Sequence, residues 1–359
     1  MESKLLILAP YPTPENSKDG MISRVKAIDT LLENIPRTYL YVSLRNFKQS
    51  KNYKEGIVDV YSLNLLSDFR TILKLIKGHK YIYSHSIYML SFLWILISKK
   101  NNSLTLDLHG VVPEEEKYFN KSKIRASYYK FVESQVFNRL ENAICVTDTM
   151  KIHYQKKYKS FKGAFLVYSI VPDNLQVNDP YITSGIKEKN KEKIQVVYSG
   201  GAQAWQNVDL MIEFIKRNQS PRIHYTILTG DKKTFEDKLT VNNINLDSIT
   251  ITSRNPSDLW KDYIAADYAL ILRDENIVNK VACPTKLIEY LYYGLIPIVL
   301  SEEIGDYKKM GYDFIKINDF DKNTIEKPLE ASSNNINIAK KLIEINQSVD
   351  LCNFILKQL

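Results

Sequence analysis

The 359-residue sequence has little cysteine: Cys145, Cys283 and Cys352, none with a CxxC neighbour. A disulfide framework and a cysteine-type zinc site are both excluded by that spacing, and a reducing compartment is the expected setting. Glycine and proline number 12 each and no compositionally biased tract occurs, so collagen-like and disordered chains are excluded too. Long apolar runs are also lacking. The richest window, residues 87–97 (IYMLSFLWILI), falls well short of the roughly 18 apolar residues of a membrane span, and reads as a buried helix. The opening MESKLLILAPYP has neither the cationic start nor the long apolar stretch of a signal peptide, which predicts a chain that is not exported.

What remains is a globular composition, 44% apolar and 25% charged, at a length that suits two domains. Charge is divided unevenly along it. Residues 1–170 hold 26 Lys and Arg against 15 Asp and Glu, a net +11, whereas residues 171–359 hold 23 against 26, a net −3. A basic first half suits an anionic surface, either acidic lipid or nucleic acid phosphate, or is simply a solvated basic face. No zinc-finger spacing, RNA-recognition signature or Arg-rich arm supports nucleic acid, so acidic lipid ranks above it and nucleic acid is not expected as a partner.

Short apolar runs alternate with amphipathic segments of helical length. Strands are expected at 5–9, 38–42, 58–62, 81–84, 104–108 and 143–147, and again at 195–198, 224–228, 248–252, 268–272 and 296–300. Runs that are apolar without strict alternation fit parallel sheets covered on both faces, so the chain reads as α/β with two such domains in tandem. The polar stretch 171–193, without period or core face, marks the boundary.

In open α/β sheets ligands collect beyond the carboxyl ends of strands. After the strand 195–198 comes YSGGAQAWQN, where Gly200 and Gly201 are either a phosphate turn or a plain one. The segment 269–299, ALILRDENIVNKVACPTKLIEYLYYGLIPIV, is the most informative. Arg273 ends a strand, Pro284 and Gly294 bracket a helix, and Thr285, Lys286 and Leu287 form its first turn. A lysine there opposes the helix dipole, a conflict that a bound anion would remove, with Arg273 as a second contact. Glu289 either pairs with Lys286 along the helix or accepts hydrogen bonds from ribose hydroxyls. Cys283 has no adjacent His to make it a nucleophile. In the first half, LTLDLHGVVPEEEKYF sets Asp107, His109 and Gly110 at a strand end, where His109 is structural or holds a substrate hydroxyl. Glu114, Glu115 and Glu116 read as carboxylates favoured by the helix start. Asp19 and Gly20 close a Pro-rich loop expected to line a cleft, and His85, at another strand end, reads as structural.

Taken together, VVYSGG, VDLMIEF, PSDLWKDYIAADYALILR and CPTKLIEYLYYGLIPIV, with DLHGVVPEE upstream, resemble the retaining family 4 glycosyltransferases of the GT-B fold over nearly the whole chain. The resemblance implies two Rossmann-like domains facing each other across a cleft: an acceptor domain at 1–170 and a nucleotide-sugar domain at 171–341, with a terminal helix at 342–359 crossing back to the first. It implies a nucleoside diphosphate sugar as donor, most simply a UDP-sugar, a glycan or lipid-linked glycan as acceptor, and no required metal or other cofactor. His109, Arg273 and Lys286 would be catalytic. Gly200, Gly201, Arg273, Thr285, Lys286, Leu287 and Glu289 would bind the donor, and Asp19, Gly20, Asp107 and Gly110 would line the acceptor side. A cytoplasmic enzyme at the inner face of the membrane, in surface polysaccharide synthesis, combines these expectations with the basic first half. The chain departs from the family at two places. Ala202, Gln203, Trp205, Gln206 and Asn207 stand where an arginine and a lysine are usual, Gln206 aligning with the lysine, and Val281 stands where the first of two spaced glutamates is usual, its place taken by Asp274 or Glu275 on the same loop. Those departures keep a catalytically inactive nucleotide- or glycan-binding relative open as an alternative, with an epimerase on the same fold as a third.

Overall fold

A computed structural model describes residues 4–13, 20–44, 50–169, 171–172, 175–176, 193–328 and 330–356. The chain divides into two compact units, Met1–Ser169 with Val349–Leu359, and Ile170–Ser348.

The first unit is an eight-stranded sheet: β1 (Leu5–Leu8), β2 (Arg37–Ser43), β3 (Lys51–Glu55), β4 (Val58–Asn64), β5 (Tyr81–His85), β6 (Ser103–Leu108), β7 (Asn142–Cys145) and β8 (Ala164–Val167). Its spatial order is β3-β4-β2-β1-β5-β6-β7-β8, parallel except for the antiparallel β3–β4 pair at one edge. β1 is the pivot. The chain winds one way from it to β2 and β4 and the other way from β5 to β8, so the switch of direction lies between β1 and β5. All four residues of β1 are buried, as a central strand with helices on both faces requires. Leu5 and Ile7 pack with Val25 and Ile28 of the helix Gly20–Leu31 and with Leu351, Ile355 and Leu356 of the helix Leu351–Leu356. Each such side chain contributes about 1.5–3 kcal/mol of burial. The long helix Ser333–Ser348 belongs to the second unit, so the chain returns to the first unit at 349 rather than near 342.

The second unit has a six-stranded, all-parallel sheet: β9 (Ile194–Ser199), β10 (Ile223–Leu228), β11 (Ile249–Thr252), β12 (Tyr268–Ile271), β13 (Ile296–Val299) and β14 (Ile315–Lys316), in the order β11-β10-β9-β12-β13-β14. Here the switch lies between β9 and β12. Those two strands are in register only at Tyr268↔Val196 and Ala269↔Val197, and beyond that they part toward their carboxyl ends. The Ser199 amide faces this gap and donates instead to Tyr290 Oη at 2.9 Å, which docks the helix Thr285–Tyr292 beside the opening.

Residues 87–97 are not the buried helix their composition suggests. A single 3-10 turn, Ile87–Leu90, leads into further turns in which Leu93 and Ile97 are buried while Phe92 and Ile95 are exposed. Among the described residues no helix is long and apolar enough to cross a membrane.

Candidate functional site

Both sheets gather polar side chains at their switch points. In the second unit, Gly200 follows β9 with φ of +146°, a conformation that disfavours any side chain. A Cβ there would lie 1.7 Å from Lys286 Nζ, so the lysine ammonium rests directly against the glycine backbone. Lys286 comes from the first turn of the helix Thr285–Tyr292, whose N-cap is Pro284. Its ammonium also lies 4.9 Å from the Tyr198 ring centroid, and with the Gln206 amide turned so that its oxygen faces the lysine it donates to that oxygen at 3.1 Å. Arg273, just past β12, is half-buried, and its Nε is buried without a hydrogen-bond partner.

Among the described residues no carboxylate lies in ion-pair contact with either Arg273 or Lys286, so of the two readings of Glu289 the intrahelical pair with Lys286 does not form. Glu289 instead accepts from Tyr263 Oη at 3.2 Å. Burial, and then the neighbouring Arg273, push the Lys286 ammonium down to about 7 against a weaker opposing pull from Glu289. Burial also lowers the Arg273 guanidinium to about 10. Glu289 is raised to about 7 by burial, against the Tyr263 hydrogen bond and Lys286. Two crowded, desolvated cations with an unpartnered donor would be stabilised by a bound anion.

The glycine turn contributes less than its sequence promises. The Gly200 amide is taken by Leu228 O at 2.9 Å, and the Ala202 amide by Asp231 Oδ2 at 2.8 Å. Cationic side chains, rather than these amides, therefore carry the positive potential. Of the donor-side residues expected from sequence, Gly200, Arg273 and Lys286 gather here. Gly201 lies beside Gln203 and Asp231, and its carbonyl accepts from Tyr198 Oη at 2.6 Å. Thr285 opens the helix, and Leu287 points fully into the core with its amide bonded to Pro284 O. Of the departures, Gln206 lies beside Lys286, whereas Val281 is fully buried. Asp274 is held by Asn207 Nδ2 at 2.8 Å, and Glu275 by Lys280 at 2.8 Å.

In the first unit, Asp107 is fully buried near the end of β6 and organises a cluster around β5 and β1. Arg24, from the helix after β1, donates to both of its oxygens at 2.7 Å. Tyr83 Oη donates at 2.9 Å, and His109 Nε2 and His85 Nδ1 lie 3.1 and 3.3 Å from Oδ2. Burial alone would raise the Asp107 carboxyl, but Arg24 and the two imidazoles override it and hold it well below the usual range. Burial pushes His85 down to about 4, so it is neutral at physiological pH, with Nε2 buried and unbonded. A bare Nε2 acceptor costs less there than an orphaned N–H, which assigns the proton to Nδ1, facing Asp107. For His109 the same carboxylate favours the Nε2–H tautomer, leaving Nδ1 as an acceptor on a ring that is only partly buried.

His85, Asp107 and His109 also form the group of described residues whose ligand atoms lie near enough to hold a metal ion. The charge count opposes one, because Arg24 already neutralises Asp107 and both imidazoles are turned to it as donors. Gly110 lies against Glu115, whose carboxylate a Cβ at Gly110 would meet at 1.9 Å. Burial raises Glu115 to about 7, against a hydrogen bond from the Val111 backbone. The neighbouring carboxylates do more than favour the helix start: Glu116 binds Arg125 at 2.8 Å and Tyr88 Oη at 3.0 Å, and Glu114 binds Lys157 at 3.1 Å. Gly20 begins its helix in open space, and Asp19 lies outside the described residues. Nothing in the sequence points to Arg24 or Tyr83, and Glu115 reads from it only as a carboxylate of the helix start.

No protein-family model and no curated protein matches the chain. Solved structures do. Sucrose-phosphate synthase from Thermosynechococcus elongatus superposes with a TM-score of 0.66 at 12% identity, covering 96% of this chain and 94% of that one. An E. coli trehalose-6-phosphate protein bound with UDP-2-fluoro glucose gives 0.65 at 14% identity, covering 99% of each chain. HepE of Anabaena, in complex with UDP and glucose, gives 0.64 at 12% identity, covering 99% of this chain and 100% of that one. At such identities the likeness establishes the fold: α/β, with two parallel Rossmann-like sheets of the GT-B glycosyltransferase type.

Proposed function

We propose that this protein is a retaining glycosyltransferase that moves a sugar from a nucleoside diphosphate sugar, a UDP-sugar first, to a hydroxyl of a glycan or glycolipid in surface polysaccharide synthesis. The observation that carries the reading is the uncompensated pair Arg273 and Lys286 beside Gly200, at the switch point of the second sheet. Two of the similar structures hold UDP or a UDP-sugar analogue, which supports a donor of that class.

The chemistry follows from the charges. The anomeric C–O bond to the diphosphate breaks, the acceptor oxygen bonds to the anomeric carbon, and the acceptor proton passes to the leaving phosphate oxygen. Negative charge grows on the diphosphate as the bond breaks, and Arg273 and Lys286 stabilise it by several kcal/mol because they are desolvated and already in place. Glu289 would accept from ribose hydroxyls. His109 would hold a hydroxyl of the transferred sugar through Nδ1, its tautomer fixed by Asp107. No metal or other cofactor enters this reading.

Incubation with UDP-glucose, UDP-galactose and UDP-N-acetylhexosamines, following UDP release and the anomeric proton of the product by NMR, tests it. Turnover that Lys286→Ala lowers about tenfold or more, with a retained anomeric configuration, is the expected result. Gln206 and Val281 favour one second reading, an inactive GT-B protein that binds nucleotide or glycan in an assembly complex. It predicts UDP binding with no donor consumed under any acceptor, whereas an epimerase would convert donor alone.

A further inference from the structure

We infer that the helix Lys123–Phe137 and the turns at 91–97 form a face that docks on an anionic lipid bilayer, with its side chains entering the interfacial layer. This gives a specific surface to the membrane setting expected from sequence, and it does not rest on the sugar chemistry. The helix buries Val132, Val136 and Phe137 on its inner side. Its outer side carries Ile124, Tyr128 and Phe131 at i, i+4 and i+7, with Ile124 85% and Phe131 53% exposed. The turns continue the same patch. Phe92 packs 6.3 Å from Tyr128, Trp94 packs 5.8 Å from Phe131, and Ile95 is 65% exposed. Large apolar side chains gathered on one face need a partner, whereas isolated ones do not.

Charge selects the occupant. Residues 86–100 and 117–132 contain seven Lys and Arg and no Asp or Glu. All seven are exposed, and among the described residues only Arg125 pairs with a carboxylate, that of Glu116. Aromatic and aliphatic residues on one face, with lysines flanking them, match the apolar boundary and phosphate layer of an acidic bilayer. Arg139 lies over Trp94 at 4.9 Å and the Tyr128 hydroxyl is tied to Ser91 O at 2.6 Å, so the two segments hold a single surface.

Vesicle flotation of the full chain tests this, with phosphatidylcholine alone and mixed with phosphatidylglycerol. Wild type should float only with the mixed vesicles and lose binding as salt rises. Ile124→Ser with Phe131→Ser, and separately Lys99→Glu with Lys100→Glu, should each weaken partitioning about tenfold or more. A UDP titration and a thermal melt of each variant act as controls, since these residues are remote in sequence from Arg273 and Lys286 and their replacement should leave both unchanged. Indifference of wild type to acidic vesicles would overturn the inference, as would undiminished binding of the Ser variant. A wild-type dimer in sedimentation velocity that the Ser variant dissolves would assign the face to a second copy instead. Failure of UDP binding in wild type would sink the donor reading alone and leave the flotation result standing.

Discussion

At the scale of single residues, what matters is how each buried charge is balanced. Asp107 and Arg24 neutralise each other inside the first unit, so Asp107→Asn should strand a buried guanidinium and cost about 3–5 kcal/mol in urea unfolding. The double change Asp107→Leu with Arg24→Leu should cost clearly less than the sum of the two single ones. Because Asp107 is held below its unfolded value, the stability it contributes is present above about pH 4 and is lost as pH falls through its folded value. Lys286 gives a pH dependence of the same sign from the opposite cause, because there burial disfavours the charged form. Its folded value of about 7 lies below that of the unfolded chain, so the ligand-free protein loses stability as pH falls from about 10.4 toward 7. A diphosphate restores the charged form, so binding should take up a proton and weaken between pH 6.5 and 9, measurable by calorimetry in buffers of different ionisation heat; affinity unchanged across that range would contradict the assignment. Sequence showed Asp107, His109, Gly200 and Arg273 because each lies at the end of an apolar run that forms a strand, and Lys286 because Pro284 marks the start of its helix. Arg24 and Tyr83 gave no such signal. Arg24 lies 83 residues from the carboxylate it serves, and that meeting exists only in the folded sheet.

At the scale of elements, the two switch points follow from strand order, and strand order was only partly legible. The buried strands announced themselves as apolar runs. β3, with sequence KNYKE and every residue exposed, carries no such run because it is an antiparallel edge strand. Residues 87–97 misled for the opposite reason, since apolar composition there serves a surface as well as a core. The helix Thr285–Tyr292 was readable from Pro284 and Gly294, but its tether from Ser199 to Tyr290 was not, spanning 91 residues. The turn after β9 gives the sharpest element-scale prediction. Gly200→Ala would place a methyl on Lys286 Nζ at a φ of +146°, so nucleotide affinity should fall about tenfold or more while the melt shifts by about 1–3 kcal/mol. An alanine variant with wild-type affinity would show that the close approach has no role.

At the scale of the whole molecule, the chain builds one sheet, then a second, and returns to the first unit with its last residues. The helix Leu351–Leu356 completes the first core, and Asn142 Nδ2 donates to Phe354 O at 3.2 Å. Ending the chain before Val349 should therefore destabilise the first unit by several kcal/mol, through loss of Leu351, Ile355 and Leu356, and leave UDP binding by the second unit. Hydrogen exchange that deprotects β1 and β7 while sparing β9 and β12 would be the expected pattern; uniform loss would argue that the two units unfold as one. Arg273 and Lys286 are proposed to form a diphosphate site. A calorimetric titration of UDP, GDP, ADP and CMP into wild type and Lys286→Ala tests it most directly. Micromolar binding of a nucleoside diphosphate, UDP first, that the substitution lowers at least about tenfold is the predicted result. Equal binding by both proteins, or none by wild type, would contradict it.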